Sequence, residues 1–151
     1  MICVLAGAGR SIRNAMGNNN QKIGISQKAI LFRDDGKILA LKRTAEAPSR
    51  PLHWDLPGGE LDYGENVKNG IIREVKEETG LEIKDIELVD VISGMDDKNE
   101  FWVTICYSAK LKTTNVILSY EHDDFRWIAP SEFQGLQAST RNKEFVKTFV
   151  F

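Results

Sequence analysis

Residues 59–81 read GELDYGENVKNGIIREVKEETGL and contain the strongest structural signal of the chain. Asn66 can cap a helix that we predict from about Val67 to Thr79, and Gly80 supplies its C-terminal stop. The apolar residues of this helix recur at four-residue spacing: Val67, Ile71 and Val75. This spacing predicts a helix that packs one face on a core.

The same helix carries three glutamates. At about 100° per residue, Glu74, Glu77 and Glu78 span roughly a 100° arc, so we predict that they project together, away from the apolar face. Such a cluster is by itself typical of a solvated helix surface, because glutamate is a good helix former and is normally exposed. The carboxylates also repel one another, and Mg²⁺, which takes oxygen ligands, would remove this repulsion.

The residues before this segment predict a hairpin and a long loop. Residues 22–43, KIGISQKAILFRDDGKILALKR, contain two apolar stretches separated by Asp35-Gly36, which is a strong signal for a hairpin turn. Residues 44–60 contain three prolines and two glycines, which exclude a regular helix. Long loops in compact domains are usually functional or disordered, so we expect a functional role near this one.

The residues after the segment predict further strands and a second helix. We expect strands at residues 86–93 and 100–111, joined around residues 96–99, and a short strand at residues 125–129. A final helix is predicted from about Ser139 to Val150. Strands on both sides of a central helix predict an α/β fold in which a mixed sheet is sandwiched between helices.

Composition limits the functional classes. The 151 residues are 42% hydrophobic and 28% charged, which is typical of one soluble globular domain. A net charge of −2 provides no basic field for nucleic acid or an anionic membrane, and we expect neither as a partner. Cys3 and Cys106 have no metal-ligand spacing, and a cytoplasmic location is expected.

Residues 1–21 show no sustained periodicity and include the run Asn18 to Asn20. We interpret them as an N-terminal arm, either disordered or added during cloning, that has no functional role. Residues 22–151 are then the functional domain. No targeting segment is recognised in the chain.

Residues 59–81 resemble the Nudix box, GX5EX7REUXEEXGU, in which U is an aliphatic residue. Every specified position is matched, in order by Gly59, Glu65, Arg73, Glu74, Val75, Glu77, Glu78, Gly80 and Leu81. A looser resemblance covers about residues 23–150. It implies a Nudix-type α/β/α sandwich in which a loop, the helix and a second loop form a metal site.

The resemblance also implies roles for the residues of the box. The expected metal ligands are Glu74, Glu77 and Glu78, with the carbonyl of Gly59 as in several relatives. Glu65 and Arg73 are expected to pair and to brace the loop against the helix.

Three residues outside the box are further candidates. Glu121 lies six residues before Trp127, as a metal-binding glutamate of a MutT-like relative does, and we expect its loop to approach only when substrate binds. The general base is left open between Glu74 and Glu121. Arg43 resembles an arginine that contacts phosphate or nucleotide, whereas Trp54 either stacks on a base or seals the loop against the core.

The implied activity is hydrolysis of the diphosphate linkage of a small nucleotide derivative, dependent on Mg²⁺ or on Mn²⁺. The favoured substrate is a nucleoside triphosphate, as in MutT-like pyrophosphohydrolases, because the proline or tyrosine marker of other branches is absent between Glu82 and Glu100. Hydrolysis of ADP-ribose or another nucleotide sugar is one alternative. A catalytically silent nucleotide sensor is another, which the intact acidic set disfavours. A homodimer is left open.

Overall fold

The structure is a computed structural model that describes residues 21–149. These residues form six strands and three helices. In chain order they are β1 (Ile23–Phe32), β2 (Ile38–Arg43), β3 (Trp54–Asp55), α1 (Val67–Thr79), β4 (Glu87–Met95), β5 (Phe101–Lys110), β6 (His122–Ile128), α2 (Pro130–Gln134) and α3 (Thr140–Phe149).

The six strands form one mixed sheet with the order β3-β2-β1-β5-β4, and β6 pairs with β2. β1 and β5 run parallel over ten register pairs, from Ile23 opposite Phe101 to Phe32 opposite Lys110. The other strand pairs are antiparallel. The predicted mixed sheet is therefore confirmed.

The predicted hairpin turn joins β1 to β2, but the two strands separate directly after it. Their register contains the single pair Phe32 and Ile38. The loop before α1 pairs with β1 instead, since the Ala29 amide donates to the Pro57 carbonyl at 2.8 Å and the Leu61 amide to the Ile25 carbonyl at 3.0 Å. This exchange of partners holds the box loop against the middle of the sheet.

Alternating residues of the central strands fill a core on each face of the sheet. The core under α1 includes Ala29, Leu31, Leu39, Leu41, Ile71 and Val75. The core on the other face includes Ile30, Ile38, Ala40, Trp54, Leu56, Phe133 and Phe145. Helices thus cover both faces, as the α/β/α prediction requires.

Helix α1 has the predicted bounds. The Asn66 side chain accepts hydrogen bonds from the amides of Lys68 (3.0 Å) and Asn69 (3.4 Å), which caps the N-terminus. At the other end Gly80 has a φ of +70°, and its amide donates to the Lys76 carbonyl at 2.9 Å. Local capping residues therefore define the length of the helix that carries the acids.

Other boundaries differ from the prediction. β3 lies within the predicted loop and α2 precedes the final helix, which spans Thr140–Phe149; the predicted end at residue 150 is outside the described residues. β6 starts at His122 rather than at Phe125. Polar residues at its start carry no strand signal, but pairing with β2 extends the strand through them.

The predicted N-terminal arm lies outside the described residues, apart from Gln21. Between residues 21 and 149, the helices are too short and too polar to cross a bilayer.

Candidate active site

A cleft of about 620 Å³ opens where the loop before α1 meets the sheet. The acids and glycines of the predicted site that line it are Gly59, Glu74, Glu78 and Glu121. The cationic side chains that line it are Lys28, Arg43, Lys98, Arg50 and Arg141. Opposite charges therefore meet in one concave surface, which suits an anionic ligand that arrives with a cation.

Two glycines let the loop approach both the sheet and the helix. Gly58 has a φ of +140°, and a Cβ at this position would clash with the Gln27 carbonyl. A Cβ on Gly59 would lie 2.6 Å from the Glu74 carboxyl group. The Gly59 carbonyl accepts a hydrogen bond from the Gln27 amide at 2.8 Å, which leaves one of its two lone pairs for another partner.

Glu78 is only 5% exposed, so the predicted separation of the acids from the apolar face of α1 is wrong for this residue. It follows Ile71 by seven residues, nearly two helical turns, and therefore shares the buried face. Burial raises the pKa of the carboxyl group to about 8, and the nearby Asp55 and Glu74 carboxylates add to this effect. The Gly58 amide donates to Oε2 at 2.9 Å.

Glu74 and Glu77 differ from Glu78 in exposure. Glu74 is partly buried, which raises its pKa, although an Arg73 contact at 3.0 Å opposes the rise. The Glu77 side chain is 58% exposed and does not belong to the lining of the cleft. The structure thus brings two of the three helix glutamates into the cleft and leaves the third on the outer surface of the helix.

Arg73 joins the loop to the helix through a bidentate ion pair with Glu65. Nε lies 2.8 Å from Oε1 and Nη2 lies 3.0 Å from Oε2. The hydrogen bond from Arg73 is the main reason that the pKa of Glu65 is lowered. Nη1 also contacts Glu74 and, at 3.1 Å, Glu77. One guanidinium therefore orients carboxylates of both segments, an arrangement that Lys could not reproduce.

Glu121 lies beside the helix acids Glu74 and Glu78. Carboxylate oxygens of Glu78 and Glu121 and one nitrogen of His122 lie within 4.8 Å of one another. The backbone explains this position, because the Thr44 amide donates to the Glu121 carbonyl at 3.2 Å and His122 pairs with Arg43 in the sheet. Burial lowers the pKa of His122 to about 4.

A second buried carboxylate, Asp55, is surrounded by donors. Its oxygens lie 2.7 Å from Lys28 Nζ, 3.3 Å from Arg43 Nη1 and 2.7 Å from Asn142 Nδ2. Burial alone would raise its pKa, but Lys28, Arg43 and Asn142 together hold it below the ordinary value. Arg43 also donates to the Ser49 carbonyl at 2.9 Å and follows a register shift that interrupts its strand. Arg43 thus lines the cleft, where its guanidinium pairs with a carboxylate.

Comparison with known proteins identifies the family. The family model described as the NUDIX domain matches residues 23–149. This chain belongs to the Nudix family. A MutT-like protein of Streptomyces ambofaciens is 30% identical over 109 residues, which cover 72% of this chain and 65% of that protein. The nucleoside triphosphatase NudI of Salmonella arizonae is 26% identical over 124 residues, which cover 74% of this chain and 88% of that protein.

Solved Nudix structures agree with the fold. The MutT protein of Methanosarcina mazei Go1 has a TM-score of 0.78 and 26% identity, and the alignment covers 86% of this chain and 94% of that one. The matched region spans less than two thirds of the length of the Streptomyces relative. The fold and family are therefore established, whereas the activity and substrate depend on the residues of the site.

The donors that meet in the cleft fit a divalent cation. Glu74, Glu78 and Glu121 line the same cleft as Gly59, carboxylate oxygens of Glu78 and Glu121 lie within 4.8 Å of each other, and Mg²⁺ prefers oxygen ligands of these types. Burial raises the pKa of Glu78, because Lys28 and the Gly58 amide do not offset the desolvation of the ionised carboxylate. A cation would supply further positive charge.

The aromatic candidate from the sequence is not where a ligand would meet it. Trp54 is 7% exposed in the core beside Phe133, and Arg126 lies over its ring at 4.6 Å. Trp102 on β5 lines the cleft of this Nudix domain instead. Sequence reasoning missed Trp102 because strand alternation does not show which face of a sheet borders a cleft.

Proposed function

We propose that this Nudix domain is a hydrolase of phosphoric anhydrides that uses Mg²⁺, with Mn²⁺ as the alternative, to split the diphosphate linkage of a nucleotide. The single observation that carries the proposal is the convergence of Glu74, Glu78 and Glu121 beside Gly59. A silent ligand sensor would not need a third carboxylate contributed by a different part of the chain. The family assignment supports the reaction class.

Glu74, Glu78, Glu121 and the Gly59 carbonyl would hold the metal, and Glu77 would reach it from the helix surface. A bound divalent cation supplies neutralisation of phosphate oxygens and a lower pKa for an attacking water. Glu78 must lose its proton to become a ligand, because its pKa is about 8 before a cation binds. The Gly58 amide then holds one of its oxygens in place.

Two carboxylates are positioned to accept the proton of the attacking water. Burial raises the pKa of Glu74, which makes it more basic, but Arg73 already occupies one of its oxygens. Glu121 is exposed in the cleft and is not held by a guanidinium among residues 21–149. The general base is the residue whose change to glutamine causes the larger loss of turnover.

The shape and charge of the cleft support a nucleoside triphosphate as substrate. Arg43 projects toward the cleft, and its guanidinium geometry suits a phosphate, although binding has to share it with Asp55. Trp102 offers an aromatic surface for a base, and Arg141 is fixed next to it by a 2.9 Å hydrogen bond to the Thr104 hydroxyl. The similarity to NudI of Salmonella arizonae, a nucleoside triphosphatase, also supports this substrate class.

A product-resolved substrate panel tests the proposal. The full chain is incubated with Mg²⁺ and each of several nucleoside triphosphates, ADP-ribose and a dinucleoside polyphosphate, and products are identified by mass spectrometry in ¹⁸O-labelled water. We expect each nucleoside triphosphate and one water to give a nucleoside monophosphate and inorganic pyrophosphate, and no turnover after EDTA treatment. Nucleotide binding without hydrolysis of any compound would show a sensor, and preferential cleavage of ADP-ribose would overturn the substrate assignment.

Glu82 offers a matched control for every glutamate variant of the site. It is exposed, pairs with Lys76 at 2.6 Å and does not belong to the cleft lining. Glu82→Gln should therefore retain the turnover of the unchanged protein. A loss in this variant would show that glutamine substitution on this part of the surface disturbs the domain as a whole.

A further inference from the structure

His122 is a buried polar side chain that the box does not account for. It is 4% exposed at the first position of β6, and Nδ1 is buried without a hydrogen-bond partner in the part of the chain that the structure describes. Leaving such a group unpaired destabilises a fold, so buried polar atoms are normally paired. We therefore expect the imidazole to bind a partner other than a hydrogen-bonding group of the described residues.

The neighbours of His122 indicate what this partner is. One imidazole nitrogen lies within 4.8 Å of a carboxylate oxygen of Glu78 and of one from Glu121. Two ligand atoms on opposite sides of a metal ion, each at about 2.1 Å, are about 4.2 Å apart. Adjacent ligands of an octahedral ion are about 3 Å apart, so the three atoms would have to move closer together to surround one ion.

The backbone holds these ligands in position. β6 pairs with β2 from Ile128 opposite Ile38 to His122 opposite Arg43, so the imidazole is attached to the central sheet. Lys28 and Arg43 also lie near His122, but both are ion-paired with Asp55, which offsets their repulsion of a metal ion. On the other side of His122, the carboxylate of Glu78 offsets part of the positive charge of Lys28 and Arg43.

We propose that His122 is a nitrogen ligand of a divalent cation shared with Glu78 and Glu121, and that this ligand shifts the metal preference of the site from Mg²⁺ toward transition metals. This inference rests on the metal site of the proposed function and extends it to a ligand outside the box. Imidazole suits transition metals, whereas Mg²⁺ selects oxygen ligands. A site with oxygen ligands alone would show this shift to a smaller extent.

Pulsed electron paramagnetic resonance of bound Mn²⁺ tests the inference without reference to activity. The full chain, loaded with less than one equivalent of Mn²⁺, should show echo-envelope modulation from a directly coordinated nitrogen. His122→Gln should lose this modulation, whereas His53→Gln should retain it. His53 is the matched control because it is the only other histidine of the chain, and its Nδ1 lies 3.0 Å from the Pro51 carbonyl.

Calorimetric titration gives the second measurement. His122→Gln should weaken Mn²⁺ binding by about tenfold or more, the range found when groups that support a metal site are removed, and Mg²⁺ binding by less. Absence of nitrogen modulation in the unchanged protein with Mn²⁺ bound, or its persistence in His122→Gln, would overturn the inference and leave the proposed hydrolase intact. Failure to bind either metal would overturn both.

Discussion

Asp55 on β3 and Glu78 on α1 are both buried carboxyl groups of one cleft, yet their surroundings shift their pKa values in opposite directions. Asp55 is held below its ordinary pKa, because Lys28, Arg43 and Asn142 overcome the effect of burial. Burial raises the pKa of Glu78 to about 8, and its nearest donors do not overcome this effect. Burial is common to both, so the number of positive and donating partners decides the outcome.

The difference indicates that the charge of Asp55 is structural, whereas the charge of Glu78 needs a ligand to balance it. Asp55 already has cations at 2.7 and 3.3 Å and needs no further partner. Glu78 has one amide donor at 2.9 Å and the carboxylates of Asp55 and Glu74 as neighbours. A metal ion stabilises a carboxylate most where the negative charge is not balanced by other groups. Groups with such perturbed pKa values cluster at functional sites.

The largest expected effect is on Glu78. Glu78→Gln keeps the size of the side chain but removes a charged ligand, so turnover with Mg²⁺ should fall by roughly a thousandfold. Steady-state kinetics on the substrate identified by the panel measures the loss. Turnover near that of the Glu82→Gln control, in a variant with an unchanged circular dichroism spectrum, would show that Glu78 is not a ligand.

Asp55 should respond through stability rather than through metal binding. Asp55→Asn leaves Lys28 and Arg43 without their buried carboxylate, and breaking such a pair lowers the free energy of unfolding by about 3 kcal/mol. Urea denaturation measures this change. If Asp55→Asn is as stable as the unchanged protein while Mg²⁺ affinity collapses, Asp55 and Glu78 would have the same role and the contrast would be wrong.

Glu121 tests whether the acidic side of the cleft needs a third carboxylate. Glu121→Gln should lower turnover by about a hundredfold and hardly change the melting temperature, because general-base or ligand losses act on the reaction rather than on folding. A loss of less than about threefold would leave Glu74 as the base. In that case the pH profile of Glu74→Gln becomes the deciding measurement.

The raised pKa of Glu78 also predicts a pH dependence of stability in metal-free protein. The folded carboxyl group has a pKa of about 8, against an ordinary value of 4.5, so the folded state holds an extra proton between these limits. The contribution of Glu78 to the stability of the folded state is therefore complete below pH 4.5 and is lost as the pH rises through 8. His122 acts in the opposite sense between about pH 4 and 6.5, its folded and ordinary values.

Above pH 6.5 the stability no longer changes with pH because of His122, but it still changes because of Glu78. The melting temperature of EDTA-treated protein should thus fall between pH 6.5 and about 8.5, and Glu78→Gln should make this fall much shallower. Differential scanning fluorimetry at fixed ionic strength measures both curves. A fall of equal size in the two proteins would mean that Glu78 is not the group responsible.

The smallest effect is expected from the N-terminal residues. Removal of residues 1–20 should alter turnover and melting temperature little, since the partners of Asp55 and of Glu78 named above all lie between residues 28 and 142. A large change in either measurement would show that the contrast between the two carboxylates depends on residues beyond the described part of the chain.

The sequence alone determined the features that depend on neighbouring residues. The bounds of α1 follow from the Asn66 cap and the left-handed Gly80, and the turn between β1 and β2 follows from Asp35-Gly36. The matched box likewise identified the family, because its spacing is a property of one short segment. These features could be predicted since the interactions behind them span only a few residues.

Only the tertiary structure decided the electrostatic character of each acid. The Asp55 carboxylate is completed by Asn142, 87 positions later, and Glu78 is buried where α1 meets the loop and the sheet. Pairing of β6 with β2, which carries Glu121 to the cleft and buries His122, is equally non-local. Burial and charge pairing are set by groups distant in sequence, so a linear pattern identifies the acids but does not determine their pKa values or their partners.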